Sequence, residues 1–187
     1  MLRRLTTVFA AGSVAAFLLA GTIALAPVVA QAQVVCPRPG GMRYDGNGAA
    51  PVVDTQHIFC GEVPAPGQAQ GFHSRPAGQN PASITNTGAP QAVAAAPGVY
   101  KLSGFTITQG ANNGIKNLTT MFPDGCSYAN VIAAIQNAYN NPTTQNGNQF
   151  TGPSGASCQT TTGASFNIIG FTANGPPFHI RTAYPNY

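Results

Sequence analysis

Hydrophobic and polar positions divide the chain into one long, almost wholly apolar run, several short periodic segments and two long polar stretches. The apolar run, Val8 to Val29, follows Arg3 and Arg4 and is closed by Ala30-Gln31-Ala32. A basic start, an apolar middle and a small-x-small ending predict a secretory signal peptide over residues 1–32. An uncleaved membrane anchor is the competing reading, and Pro27 with the Ala-Gln-Ala ending favours cleavage. Residues 33–53 lack a clear period and read as an N-terminal extension tethered through Cys36, with the folded domain over 54–187. Val52 to Val63 is the first apolar run of that domain, and Pro64 to Gln70 is a Pro/Gly turn leading into Gly71-Phe72-His73. Arg75 to Pro97 is polar and Pro-, Gly- and Asn-bearing, so it reads as a loop, and one of such length is more often functional than idle.

Val99 to Thr108 alternates, with Val99, Lys101, Ser103 and Phe105 on one side, and predicts a strand broken at Gly104. Ser127 is placed to cap a helix running to about Asn140, whose Val131, Ile132, Ile135, Ala138 and Tyr139 share a face at helical spacing. Pro142 stops it. Thr143 to Thr162 reads as a second polar loop, pinned by Cys158. Phe166 to Thr172, then Ala173-Asn174-Gly175, then Phe178 to Tyr184 predict a closing hairpin. No segment repeats. The expected fold is α+β: antiparallel strands with one main packed helix.

Composition sharpens this picture. Of 187 residues only 6% are charged, whereas Gly (22) and Pro (16) are plentiful, as in a loop-rich secreted protein. The net charge of +4 falls to +2 without Arg3 and Arg4, too little to argue nucleic-acid binding by itself. Any RNA affinity must come from a few placed cations. Four cysteines, Cys36, Cys60, Cys126 and Cys158, read as two disulfides in an exported protein, with three pairings open. Cys36–Cys60 and Cys126–Cys158 are favoured, because each closes a loop of moderate length worth roughly 3–4 kcal/mol in the chain-entropy model. Without CxxC or HxxxH spacing, zinc is not expected.

Three histidines occur, and His57 and His73 lie sixteen residues apart around the Pro/Gly turn. A turn between two extended segments brings both imidazoles to one cleft. Metal-free RNA cleavage needs such a pair: one ring takes the proton of the ribose 2′-hydroxyl, the other protonates the departing 5′-oxygen. A cation must then stand beside the phosphorus, where Lys101, Lys116 and Arg75 are candidates.

His57-Ile58-Phe59-Cys60-Gly61-Glu62 and Gly71-Phe72-His73 resemble the H-[VI]-F-x-G-E…G-F-H block of the EndoU endoribonucleases. That family has a lysine followed four residues later by Ser or Thr, ahead of a helix, as in Lys116 and Thr120 before Ser127 to Asn140. Many members end in T-x-Y-P, matched by Thr182-Ala183-Tyr184-Pro185. The blocks span Gln56 to Pro185. The resemblance implies an EndoU-like domain that cuts single-stranded RNA at uridylates and leaves a 2′,3′-cyclic phosphate. It implies His57, His73 and Lys116 as the catalytic trio, with His73 as base and His57 as acid. Thr120 and Tyr184 would read the base, with Thr182 beside them. No cofactor is required, although some members are stimulated by manganese.

Other residues receive plainer readings. Thr182 and Tyr184 reach substrate only if the last strand twists or ends, since a regular strand would align them with Phe178 and Ile180, which look like core. His179 and Arg181 read as solvent-facing, with a phosphate contact as the lesser alternative, and Glu62 as a brace for the turn. Ser74 and Arg75 follow His73 closely enough to touch RNA. The expected protein is a secreted or periplasmic monomeric endoribonuclease, a toxin with an immunity or inhibitor partner or a scavenger, without membrane association once the signal is removed. The alternative is a catalytically weak secreted module that binds RNA or another ligand on the same fold.

Overall fold

The computed structural model describes residues 33–173 and 178–187; the expected signal peptide and the Asn174-Gly175 turn lie outside them. The elements are β1 (Tyr44–Asp45), β2 (Val53–Asp54), β3 (Ile84–Thr85), β4 (Gln91–Ala92), β5 (Tyr100–Gln109), β6 (Asn112–Met121), α1 (Tyr128–Asn140), β7 (Thr144–Asn146), β8 (Gln149–Pro153), β9 (Asn167–Thr172) and β10 (Ile180–Pro185). They build two sheets. One has the order β1-β2-β10-β9-β8-β7; in the other, β5 pairs with β6 and with the short β3 and β4. Among the described residues, only β2 with β10 is parallel. The fold is α+β and mostly antiparallel, as expected.

The helix follows its sequence pattern closely. Ser127 accepts a hydrogen bond from the Asn130 amide at 3.2 Å, and Val131, Ile132, Ile135 and Ala138 are buried against the larger sheet. Each fully buried isoleucine there contributes about 1.5–3 kcal/mol over exposure. Half-buried Tyr139 stacks edge-on against Phe150 of β8. Gln136 is buried on the same helix, and its Nε2 lies 2.9, 2.9 and 3.0 Å from the carbonyl oxygens of Gly46, Ala49 and Pro51, holding the chain before β2. Gln136→Leu should therefore cost about 1–3 kcal/mol by stranding those carbonyls. Urea unfolding checks this; an unchanged midpoint would show the carbonyls are otherwise satisfied.

Apolar side chains form two separate cores. Val53, Ile58, Phe59, Phe122, Phe150, Ile168 and Ile180 pack with α1 and the larger sheet. Val63, Phe72, Tyr100, Leu102, Phe105, Ile107 and Met121 pack over the smaller one. The segment 57–73 passes from the first core to the second. Two disulfides, Cys36–Cys60 and Cys126–Cys158, join as the sequence favours, with Cα separations of 5.6 and 5.4 Å.

Several local expectations are corrected. In β5 Tyr100, Leu102, Phe105 and Ile107 are buried, so Phe105 does not share a side with Lys101 and Ser103 as one unbroken alternation expects. Gly104, at φ +66°, reverses the alternation, so a single period cannot describe the strand. Its partner β6 is rich in Asn and contains Gly, a poor strand composition; β5 supplies the pairing that makes it one. The stretch Thr143 to Thr162 is not all loop: Gly147-Asn148 turns the β7–β8 hairpin. Phe178 is 51% exposed rather than core, and His179 is buried at 9% exposure, its ring 4.6 Å from that of Tyr44.

Candidate active site

Gln56–Cys60 forms one π-helical turn, and its carbonyls receive the second histidine segment. Phe72 N donates to His57 O at 2.8 Å, and His73 N donates to Ile58 O at 2.7 Å. Close docking is possible because Gly71 has no side chain: at φ +70° its Cβ would fall 2.2 Å from His57 O. Backbone bonding, not the turn residues between, therefore sets the distance between the two imidazoles. Their centroids lie 5.9 Å apart.

Each ring is held by a different chemistry. His57 Nδ1 lies 2.9 Å from Glu62 Oε2, and its backbone N–H donates to Asp54 Oδ1 at 3.2 Å. Arg43 Nη2 bridges the two carboxylates, 2.5 Å from Glu62 Oε1 and 2.9 Å from Asp54 Oδ2. Burial alone would raise the Glu62 carboxyl; the His57 hydrogen bond and charge, with Arg43 and Arg181, outweigh it and hold the carboxyl below its ordinary value. Glu62 thus does more than brace a turn.

His73 is held from β6. Its Nδ1 lies 2.8 Å from Thr119 Oγ1 and 3.2 Å from the Thr120 carbonyl. Thr119 Oγ1 donates its own proton to Phe72 O at 2.9 Å, so toward His73 it can only accept. Both neighbours are acceptors, which places the proton of the neutral ring on Nδ1 and leaves Nε2 with its lone pair. Burial, followed by the charges of His57 and Lys116, lowers the His73 pKa well below the ordinary 6.5. Thr119 was not anticipated. Its signal was only that it precedes Thr120 in a segment that did not look like a strand.

β10 closes the site. Its register against β9 shifts between Ile180 and Thr182, a bulge that inserts Arg181. Ile180, Ala183 and Pro185 are buried, whereas Thr182 and Tyr184 turn to the other face. The strand need not end early: the bulge alone reverses the alternation. Tyr184 stacks on His73 at 4.9 Å, and Thr182 Oγ1 lies 3.4 Å from His73 Nε2.

These residues line one cleft of about 760 Å³. His57, His73, Lys116, Thr120, Thr182 and Tyr184 all reach it, with Arg181 as a second cation. Burial lowers the Lys116 pKa from its ordinary range. Lys101 is not a lining residue, and Arg75 is turned to Tyr100 Oη at 2.7 Å and to Asp124 at 3.3 Å. Ser74 is buried outside the cleft, and no residue of the long 75–97 loop lines it. Among the described residues no group of three or more His, Cys, Asp or Glu is placed to hold a metal ion, and no helix is long and apolar enough to cross a membrane.

Neither the curated proteins nor the solved structures yield a match to the chain. The sequence model of the bacterial EndoU nuclease family matches residues 51–187, from just before β2 to the last residue, and so takes in both histidine segments, β6 and β10. The chain belongs to the bacterial EndoU nuclease family.

Proposed function

We propose that the protein is a secreted endoribonuclease that cleaves single-stranded RNA at uridylates through attack of the ribose 2′-hydroxyl. One observation carries this reading: the two histidines share a cleft but are held by different partners, His57 by the Glu62 carboxylate and His73 by the Thr119 hydroxyl and the Thr120 carbonyl. His73, protonated at Nδ1 and disfavoured as a cation, offers the Nε2 lone pair as general base. His57 gives Nδ1–H to Glu62, so exchange with substrate runs through Nε2, and the carboxylate balances the doubly protonated ring. His73 Nε2 removes the 2′-hydroxyl proton as that oxygen bonds to phosphorus. The bond from phosphorus to the 5′-oxygen breaks, and His57 Nε2 donates a proton to the leaving oxygen. The products are a 2′,3′-cyclic phosphate and a free 5′-hydroxyl. Lys116 supplies a point charge for the equatorial oxygens.

Tyr184 offers a ring for the nucleoside, and the hydroxyls of Thr120 and Thr182 can pair with the edge of uracil. Two disulfides fit an oxidising compartment, which favours export. An exported ribonuclease meets foreign or extracellular RNA, so antagonism held in check by an inhibitor protein and scavenging both suit it.

The test is direct. Short RNAs with one uridine or one cytidine at the same position are incubated with the oxidised protein, with and without chelator. Cleavage after uridine to a cyclic phosphate is expected, preferred over cytidine by about tenfold or more, the worth of one or two lost hydrogen bonds. Binding without any cleavage would leave the weak binding module as the better account.

A further inference from the structure

Residues 33–187 carry six Lys or Arg side chains. Four are placed elsewhere: Arg43 between Asp54 and Glu62, Arg75 on Asp124, Arg38 over the Tyr128 ring, and Lys101 outside the cleft. Lys116 and Arg181 are the cations that line the cleft. Arg181 is the inserted residue of the β10 bulge, exposed and set on the same side as Thr182. A bulge aims two successive side chains toward one face, so the device that turns Thr182 and Tyr184 to substrate also delivers this guanidinium.

Its position along the cleft is polarised. At one end of β10, Tyr184 lies on His73; at the other, Ile180, next to Arg181, pairs with Val53, and the residue after Val53, Asp54, accepts the His57 backbone N–H at 3.2 Å. Under the reading above, His57 protonates the 5′-oxygen of the leaving nucleotide, so that nucleotide departs on the Arg181 side. Phe171, paired with Thr182, extends the same wall and offers a half-buried ring to a base.

We propose that Arg181 anchors the phosphate on the 3′ side of the leaving nucleotide, giving the cleft a second phosphate subsite beyond the scissile one. A guanidinium suits this role: it is always charged and binds phosphate oxygens through two parallel N–H groups. The subsite makes the enzyme favour a uridine followed by at least one complete nucleotide, so internal sites are cut ahead of a terminal dinucleotide. This inference rests on the assignment of His57 as acid.

The experiment compares kcat/KM for uridylyl-adenosine, the same dinucleotide bearing a 3′-phosphate, and the same dinucleotide bearing a 5′-phosphate, in the wild type and in Arg181→Gln. The 3′-phosphate is expected to raise kcat/KM about five- to tenfold, as one charge-assisted contact would, and the 5′-phosphate to leave it within twofold. In Arg181→Gln the advantage of the 3′-phosphate should fall to about one. The salt dependence of its log kcat/KM should lose roughly 0.7 in slope, the share of one phosphate contact on a single strand. An advantage that follows the 5′-phosphate, or that survives in Arg181→Gln, overturns the proposal. Binding of the uncleavable 2′-deoxyuridine dinucleotides separates the two readings. Tighter binding of the 3′-phosphorylated form, lost in Arg181→Gln, without cleavage of any ribo-substrate, would sink the ribonuclease reading and leave the subsite standing.

Discussion

Replacing His73 with alanine is expected to lower kcat for cleavage at uridine by about 10²–10⁴-fold, the contribution of one positioned general base, with a cooperative thermal transition retained. The wild-type pH profile carries the sharper part of this expectation. A base in the cleft must be unprotonated, and burial with the charges of His57 and Lys116 keeps His73 unprotonated to lower pH than an ordinary histidine. The acid limb of kcat/KM should therefore fall below pH 6.5. The same depression acts on stability. The unfolded chain takes up this proton near pH 6.5 and the folded one only below it, so the contribution is complete above that value and lost as pH falls. An acid limb at or above pH 6.5, or less than a tenfold loss in His73→Ala, would remove His73 from the role of base.

Gly71→Ala should damage fold and activity together. A methyl group at φ +70° adds backbone strain, and its contact at 2.2 Å is with the His57 carbonyl, a backbone atom that cannot swing aside. Relief requires parting the 71–73 segment from the helical turn, which breaks the Phe72-to-His57 hydrogen bond and separates the imidazoles. About 2–4 kcal/mol of destabilisation follows from strain and the lost bonds together, with kcat reduced at least tenfold in the protein that still folds. Gly67→Ala is the control. That glycine also has positive φ, at +80°, but an added Cβ meets nothing within 4 Å, so only the strain of about 1 kcal/mol remains. Equal denaturant midpoints and equal kcat for the two variants would show that the close approach at Gly71 is relieved without cost.

How far the chain could be read from its residues depended on whether the signal was local. The helix was legible because its cap, apolar face and proline stop all lie within sixteen residues. Both histidines and Lys116 were legible through motif order, and the cleft unites them. What escaped depends on pairing between distant segments. β6 is a strand because β5 lies beside it, and only as a strand does it bring Thr119 under His73. His179 was placed on the solvent face by alternation, but the neighbouring bulge and the Tyr44 ring put it inside. Phe178 reads as core beside Ile180 on a regular strand, yet it precedes the strand and stays half exposed. Glu62 reads locally as a brace for the turn; the partner that changes its meaning, Arg43, lies nineteen residues earlier.

Arg43 and Cys36 both precede residue 51, where the match to the family begins. The segment that carries them lies outside the matched stretch and yet reaches its centre, through a guanidinium on Glu62 and a sulfur bridge ending two residues before it. For the exchange of such nucleases between genes this has a consequence. A cassette cut at the family boundary would carry every motif residue into its new host protein, but would arrive with Cys60 as an orphan thiol and without the guanidinium that bridges Asp54 and Glu62. Such a module travels whole only when its apparently nondescript leader travels with it.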